Sequence, residues 1–320
     1  MALYLTEADV RELFTMDAAV EAVEGGFNAL SEGQAINGVR SRLDTQTGSS
    51  SLMGAVAPGM GVLGLKTYAA VEGHRTRMYV LISSSETGQM LAVLEASTMG
   101  EIRTGAASGV ATKYMARENA STVGVLGSGA YAPDQLAAVC AVRDIKTAKV
   151  FSRRPEPRKK FADDMSEKLG IEVTPAESAK ECATGVDVII TITRSPTAVL
   201  FGEWLEPGVH INAAGAMRKE FRELDDAAAT RCDILVADDV EGSKSECGDL
   251  IFPIQAGLLD WDQVHDLSEV VSGSAPGRNR EGDITLFESQ GMALEDIVAG
   301  IKVYQLAMEQ GVGVEMPISK

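Results

Sequence analysis

The chain has 320 residues, of which 45% are hydrophobic, and it carries a net charge of −17. Its length predicts two lobes, and its apolar content excludes a disordered chain. The charge argues against nucleic acid and anionic membranes as partners, and the longest apolar runs, such as 186–192, are strand-sized rather than membrane-spanning.

The first residues, MALYLTEADVRELF, lack the basic head and apolar centre of a secretory signal, which predicts a cytoplasmic chain. Thr6 opens a short helix, with Asp9 completing a capping box. Asp17 is the expected cap of a second helix, whose apolar positions are Val20, Val23, Phe27 and Leu30 and whose end is Gly33. Residues 38–95 then show short β-like runs at 39–43, 51–56, 64–69, 77–82 and 90–94, joined by Gly, Pro, Ser and Thr. They predict a mostly antiparallel α+β lobe. Residues 102–117 return to a helix rich in Ala.

From Thr122 the texture changes again. Strands at 122–126, 148–151, 171–174, 186–193, 210–214 and 234–237 alternate with helices at 133–142, 155–169 and 177–183. Continuous apolar strands imply burial on both faces and hence a parallel sheet. The tail, residues 284–311, ends in an amphipathic helix through Ile297, Ile301, Tyr304 and Met308, expected to pack back on the N-terminal lobe. The fold class is thus α/β: a Rossmann doubly wound parallel sheet plus a discontinuous α+β lobe. The expected domains are 1–118 with 295–320, and 119–294.

The strand at 122–126 runs into Gly127-Ser128-Gly129-Ala130-Tyr131-Ala132, a GxGxxA turn between a strand and a helix. Gly127 permits the tight turn, Gly129 lets backbone approach a pyrophosphate, and Ala132 lets the helix sit close to the strand. Ser128 and Ala130 complete the phosphate-facing loop, with the helix N-terminus behind it. The next strand ends at Phe151-Ser152, where an NAD site places an acid for the ribose. Here Ser152 is followed by Arg153 and Arg154, cations that suit a 2′-phosphate, so the expected cofactor is NADP(H), with NAD(H) second. Arg158, Lys159 and Lys160 are expected on the solvent face.

The N-terminal lobe supplies cations in apolar or small-residue surroundings: Arg40 and Arg42, two apart on one face if that run is a strand, Lys66, and Arg103 at the start of the Ala-rich helix. Paired cations could hold a carboxylate, and a partly buried lysine could exchange a proton with an amine or imine nitrogen. No metal is expected: Cys140, Cys182, Cys232 and Cys247 form no CxxC pair, and His74, His210 and His265 lack ligand spacing.

Taken with Gly64-Leu65-Lys66, Thr87-Gly88, residues 103–107, His210-Ile211-Asn212-Ala213-Ala214-Gly215, Glu223-Leu224-Asp225 and residues 284–291, the glycine turn resembles the ornithine cyclodeaminase/μ-crystallin family over nearly the whole chain. The resemblance implies a homodimer through the N-terminal lobe and a small imino, amino or oxo acid as substrate. Arg42 or Arg40, Lys66 and Arg103 would hold its carboxylate, with Lys66 near the reacting nitrogen. Thr104, Thr193, Ser195, Ser289 and Gly291 would serve the cofactor.

Ornithine cyclodeaminases carry an Asp shortly after the strand matching 210–214. Met217 stands there, and a thioether neither acts as a base nor binds an ammonium strongly. Asp225, downstream, reads as a helix N-cap. The implied activity is an NADPH-dependent oxidoreductase moving hydride to or from the α-carbon of a small 2-imino or 2-amino acid. The alternative is a lyase of the same family, a cyclodeaminase or hydroxyproline dehydratase.

Overall fold

The computed structural model describes residues 2–317. Met1 and residues 318–320, at the ends of the expected first lobe, lie outside the described residues. The chain forms two compact units, one of Met1–Arg103 with Gly291–Lys320 and one of Thr104–Gln290. The breaks fall at 103/104 and 290/291 rather than at the expected 118/119 and 294/295, the first because a single helix, Ser97–Met115, runs across the junction.

The first unit begins with β1 (Ala2–Leu5), α1 (Glu7–Leu13) and α2 (Met16–Ser31). Thr6 caps α1 with Asp9 in a full capping box, as expected. α2 is capped by Thr15, not Asp17: the Thr15 hydroxyl accepts the Ala18 N–H, and Asp17 lies in the first turn, where its charge complements the helix dipole. The strands β2 (Ile36–Asn37), β3 (Ser41–Asp44), β4 (Gly48–Ala57), β5 (Val62–Val71), β6 (Arg77–Ser84) and β7 (Met90–Glu95) follow. Helix α3 (Ser97–Met115) starts five residues earlier than its Ala-rich stretch suggested.

The second unit comprises β8 (Thr122–Leu126), α4 (Ala132–Val142), β9 (Thr147–Phe151), α5 (Pro155–Leu169), β10 (Glu172–Pro175), α6 (Ala179–Ala183), β11 (Val188–Thr191), β12 (His210–Ala213), α7 (Asp226–Thr230) and β13 (Ile234–Ala237). It continues through α8 (Val240–Glu246), α9 (Gly248–Gln255), β14 (Val264–Asp266), α10 (Leu267–Ser272) and β15 (Thr285–Glu288). Its sheet is parallel throughout, in the order β10-β9-β8-β11-β12-β15-β13-β14. Val188 and Ile190 of β11 enter one core with Leu136, Val139, Phe161 and Met165, while Ile189 enters another with Ile211, Leu235, Leu286 and Leu250. Alternation along one strand therefore feeds two layers, which is why the strands read as unbroken apolar runs. This is a Rossmann-type doubly wound domain, and the strand order reverses direction between β8 and β11.

The chain then returns to the first unit with α11 (Ala293–Gln310) and β16 (Val314–Met316). The first unit's sheet runs β16-β1-β7-β6-β5-β4-β2, with β3 paired to β4, and among the described residues only the β1–β7 pair is parallel. Helix α11 packs on α2 and across β4, β5 and β6. A side chain at Gly64 of β5 would collide with the Leu81 carbonyl and come within 2.8 Å of Ile297 Cδ1, so glycine there lets α11 lie close against the sheet.

Candidate functional site

Lys66 lies on β5, paired across to Met53 of β4 and Val80 of β6. Strand alternation puts it on the face that α11 covers, while Leu65 faces the other way and is exposed. Only 3% of Lys66 is exposed. Its ammonium donates to both oxygens of Asp296, at 2.9 and 3.0 Å. Arg103 is also buried, donating from Nε to Asp296 Oδ1 at 3.0 Å and pairing through Nη1 with Glu295. Burial pushes the Lys66 ammonium down to about 8, against the pull of Asp296 and with help from the charges of Arg103 and Arg40. Burial likewise raises Glu295, with Arg103 opposing.

Arg40 lies just before β3 rather than in it. It donates from Nη2 to the Gly291 carbonyl at 2.8 Å and from Nε to Met53 Sδ at 3.4 Å. Arg42 is within β3, opposite Ser51. The strand that would put both arginines on one face does not include Arg40, because β3 begins at Ser41. Gly291 has a φ of +77°, and a side chain there would press on the Arg103 guanidinium at 3.0 Å. Thus Arg40, Lys66, Arg103 and Gly291 converge around Asp296 and Glu295, all within the first unit.

In the second unit, Gly127 adopts a φ of +125°, and a Cβ there would collide with the Ile192 carbonyl after β11. The turn thus sits at the end of the crevice where the sheet order reverses. Gly129 has open space on its Cβ side, and it and Ala130 are exposed. Tyr131, the N-cap of α4, does not cap it with its side chain. A loop backed by a helix N-terminus, with backbone open to approach, fits a pyrophosphate. Ser128 donates to Ser152 at 2.8 Å, tying the glycine loop to the end of β9. Arg153 and Arg154 are exposed at the start of α5. Arg158 is not on the solvent face: it is buried in step with Phe161, Ala162 and Met165, its guanidinium 5.3 Å from the Phe151 ring centroid. Lys159 and Lys160 are exposed as expected.

Thr104, nearly buried on α3, accepts at its carbonyl from Gln135 at 3.1 Å. Thr193 and Ser195 lie in the loop after β11, where the Ser195 N–H donates to the Thr193 hydroxyl at 3.1 Å. Ser289, after β15, donates to Asp238 at 3.3 Å and from its backbone to Ala213 at 2.9 Å. Met217 is 44% exposed in the loop after β12. Asp225 caps α7 as expected, accepting from Ala228 at 2.8 Å and also from Gly202 at 2.9 Å. His210 is a core residue, held between Thr285 and Asn212 and pushed by burial down to about 3.

Sequence reasoning missed Glu295 and Asp296. Asp296 shares the buried stripe of α11 with Gly300, Val303 and Ala307, at spacings of four, seven and eleven. An acid on the apolar stripe of an amphipathic helix was the available signal. Among the described residues, no group of three or more His, Cys, Asp or Glu is placed to hold a metal ion. No helix of the described residues is long and apolar enough to cross a membrane.

A Rossmann domain with a glycine turn at its switch point, joined to a lobe that buries cations against paired acids, defines a class of two-lobed α/β chains. The ornithine cyclodeaminase/mu-crystallin family model matches residues 2–311, and the chain belongs to that family. It is 35% identical over 320 residues to a Delta(1)-pyrroline-2-carboxylate reductase of Bacillus cereus, covering 97% of this chain and 98% of that one. The solved Thermococcus litoralis Delta(1)-pyrroline-2-carboxylate reductase, in complex with NADH and L-proline, superposes with a TM-score of 0.94 at 36% identity, covering 98% of this chain and 100% of the other. An archaeal alanine dehydrogenase dimer with bound NAD superposes with a TM-score of 0.93 at 34% identity, over 99% of each chain.

Proposed function

We propose that the protein is an NADPH-dependent oxidoreductase that reduces the C=N bond of a small 2-imino acid to the amine. The observation that carries this is Lys66: a buried lysine, held by Asp296, flanked by Arg103 and lowered to about 8. Such a group can protonate an imine nitrogen near neutral pH. The nicotinamide, when bound, supplies the hydride. Arg103 and Arg40 bind the substrate carboxylate, Arg103 turning its fork from Glu295 to the incoming acid. Lys66 gives its proton to nitrogen as carbon gains hydride, and Asp296 holds Lys66 in place. One hydride and one proton are thus consumed per bond reduced.

Gly127, Ser128, Gly129 and Ala130 hold the pyrophosphate, Thr104 borders it, and Thr193, Ser195, Ser289 and Gly291 line the nicotinamide end. Ser152, Arg153 and Arg154 receive the 2′-phosphate. Met217 replaces the polar group that a cyclodeaminase needs, which weighs against the lyase reading and favours an apolar substrate side chain. The likeness to two reductases and a dehydrogenase supports the same choice.

The test is purified protein with NADPH and a panel of cyclic imines, or 2-oxo acids plus ammonia or methylamine. Loss of reduced-nicotinamide absorbance with at least one imine is expected. No consumption with any of them, or product formed without net cofactor turnover, overturns the reading.

We also propose a homodimer in the cytoplasm, formed through the first unit. Ile36, Val39, Leu43, Leu52 and Val71 are each about half or more exposed there, an apolar set that a second copy would cover. Sedimentation should give twice the chain mass, and Leu43→Asp with Leu52→Asp should halve it.

A further inference from the structure

The second unit also buries an acid, Glu223, that takes no part in the proposed proton or carboxylate chemistry. Glu223 is fully buried, and its backbone is held three ways. Its N–H donates to Asp249 Oδ1 at 2.7 Å, and its carbonyl accepts from Val199 and Leu200 at 2.7 and 2.9 Å. The adjacent Leu224 N–H donates to the same Asp249 oxygen, also at 2.7 Å. Glycine at 248, the first residue of α9, lets residues 219–221 lie against that helix start, since a side chain there would collide with the Phe221 carbonyl.

From this fixed base the carboxylate reaches two other loops. Oε1 accepts the Thr193 N–H at 2.6 Å, and Oε2 accepts the Gly215 N–H at 2.8 Å. Thr193 follows β11 and Gly215 follows β12, neighbouring strands of one parallel sheet. A side chain at Gly215 would run into Thr193 and into Glu223 Oε2, so glycine is required for the loops to close on one carboxylate. In an open α/β sheet, ligands sit beyond the carboxyl ends of such strands.

We propose that Glu223 is a positioning residue for the cofactor: its two oxygens clamp the loops after β11 and β12, fixing Thr193 and the backbone before Met217 in the shape that receives the nicotinamide. The inference rests on the dinucleotide reading of the site. The clamp is strongest when Glu223 is ionised, because a protonated carboxyl gives up one acceptor to its own O–H. Burial, reinforced by Asp249, raises Glu223 to about 7. The other charges around it are Asp249 from α9, itself raised to about 7 and drawn down by Arg222, and Glu288 at the end of β15, which also feels Asp238.

The test titrates NADH into wild-type protein and Glu223→Gln at pH above 8, with thermal melting of both. A neutral amide presents an N–H to one of the two donors, so the clamp opens on one side. The expected result is a dissociation constant raised roughly tenfold, with the melting temperature little changed, because relief from burying a charged acid offsets the one backbone N–H left unpaired. A folded variant that binds NADH within about twofold of wild type overturns the clamp, as does one that only melts lower. Should the variant not fold, wild-type NADH affinity is compared below pH 6 and above pH 8. Weaker binding on the acid side is expected, and pH-independent binding overturns the proposal. A wild-type protein that binds neither NADH nor NADPH overturns the dinucleotide reading, and the clamp with it; equal binding by wild type and variant overturns the clamp alone.

Discussion

Lys66 Nζ lies within 3.0 Å of both carboxylate oxygens of Asp296, a residue 230 positions further along the chain. The pair joins a strand of the first sheet to the first turn of α11 with neither side chain reaching solvent. Breaking such a pair leaves a buried charge uncompensated, at a cost of about 3–5 kcal/mol. Asp296→Asn should therefore melt well below wild type, with Lys66 pushed further toward its neutral form. A melting temperature within the error of wild type would show that Arg103 and Glu295 suffice.

The depressed Lys66 sets a pH profile. With protonated Lys66 as the proposed donor in imine reduction, kcat/KM in that direction should fall as pH rises through about 8. Amine oxidation, which needs the neutral amine, should rise through the same range. Lys66→Met should abolish both limbs and lower kcat by roughly 10²–10⁴-fold. A variant that keeps the wild-type profile assigns the proton transfer elsewhere.

Arg103 forms a two-sided contact with Glu295 and Asp296 that a lysine cannot reproduce. Arg103→Lys should raise KM for the imino acid roughly tenfold or more while sparing KM for NADPH. Steady-state kinetics with each substrate varied in turn separate these outcomes.

Arg153 and Arg154 are exposed at the start of α5, and the proposed preference for NADP(H) rests on them. Wild type should prefer NADPH to NADH in kcat/KM, and Arg153→Ala should reduce that preference roughly tenfold with little change for NADH. Equal use of both cofactors by the wild type would reassign the arginines to the solvated face of α5.

Asp225 is placed as a cap, not a catalyst. Removing its bonds to Ala228 and Gly202 should cost about 1 kcal/mol or somewhat more, with kinetic constants unchanged at temperatures where the variant is folded. A selective fall in kcat for Asp225→Ala would return it to the reaction.

The second unit was legible in the chain because its signals are local. Val123, Val125, Val188, Ile189 and Ile190 form apolar runs that the sheet buries on both sides, and GxGxxA stands where strand gives way to helix. β15 was less visible: TLFE is short and ends in an acid, and it becomes a strand by lying between β12 and β13. β1, four residues long, exists through β7 and β16, partners about 90 and 310 residues away. In the candidate site, Lys66 and Arg103 stood out as cations in small-residue surroundings. Their acids did not, because Glu295 and Asp296 at a helix start look like ordinary complements to the dipole. Glu223 sits in a run of charges, and only the tertiary fold shows that it is fully buried with its carboxylate on the backbone N–H groups of two neighbouring loops.

The placing of α11 has a consequence for synthesis. Residues 104–290 form a unit that is complete once translation reaches Gln290, whereas the first unit still lacks the helix that covers β4, β5 and β6. Lys66 and Arg103, made early, wait for Asp296 with their charges unmatched. The lobe that starts the chain is therefore among the last parts to assume its native form, although most of it is made first.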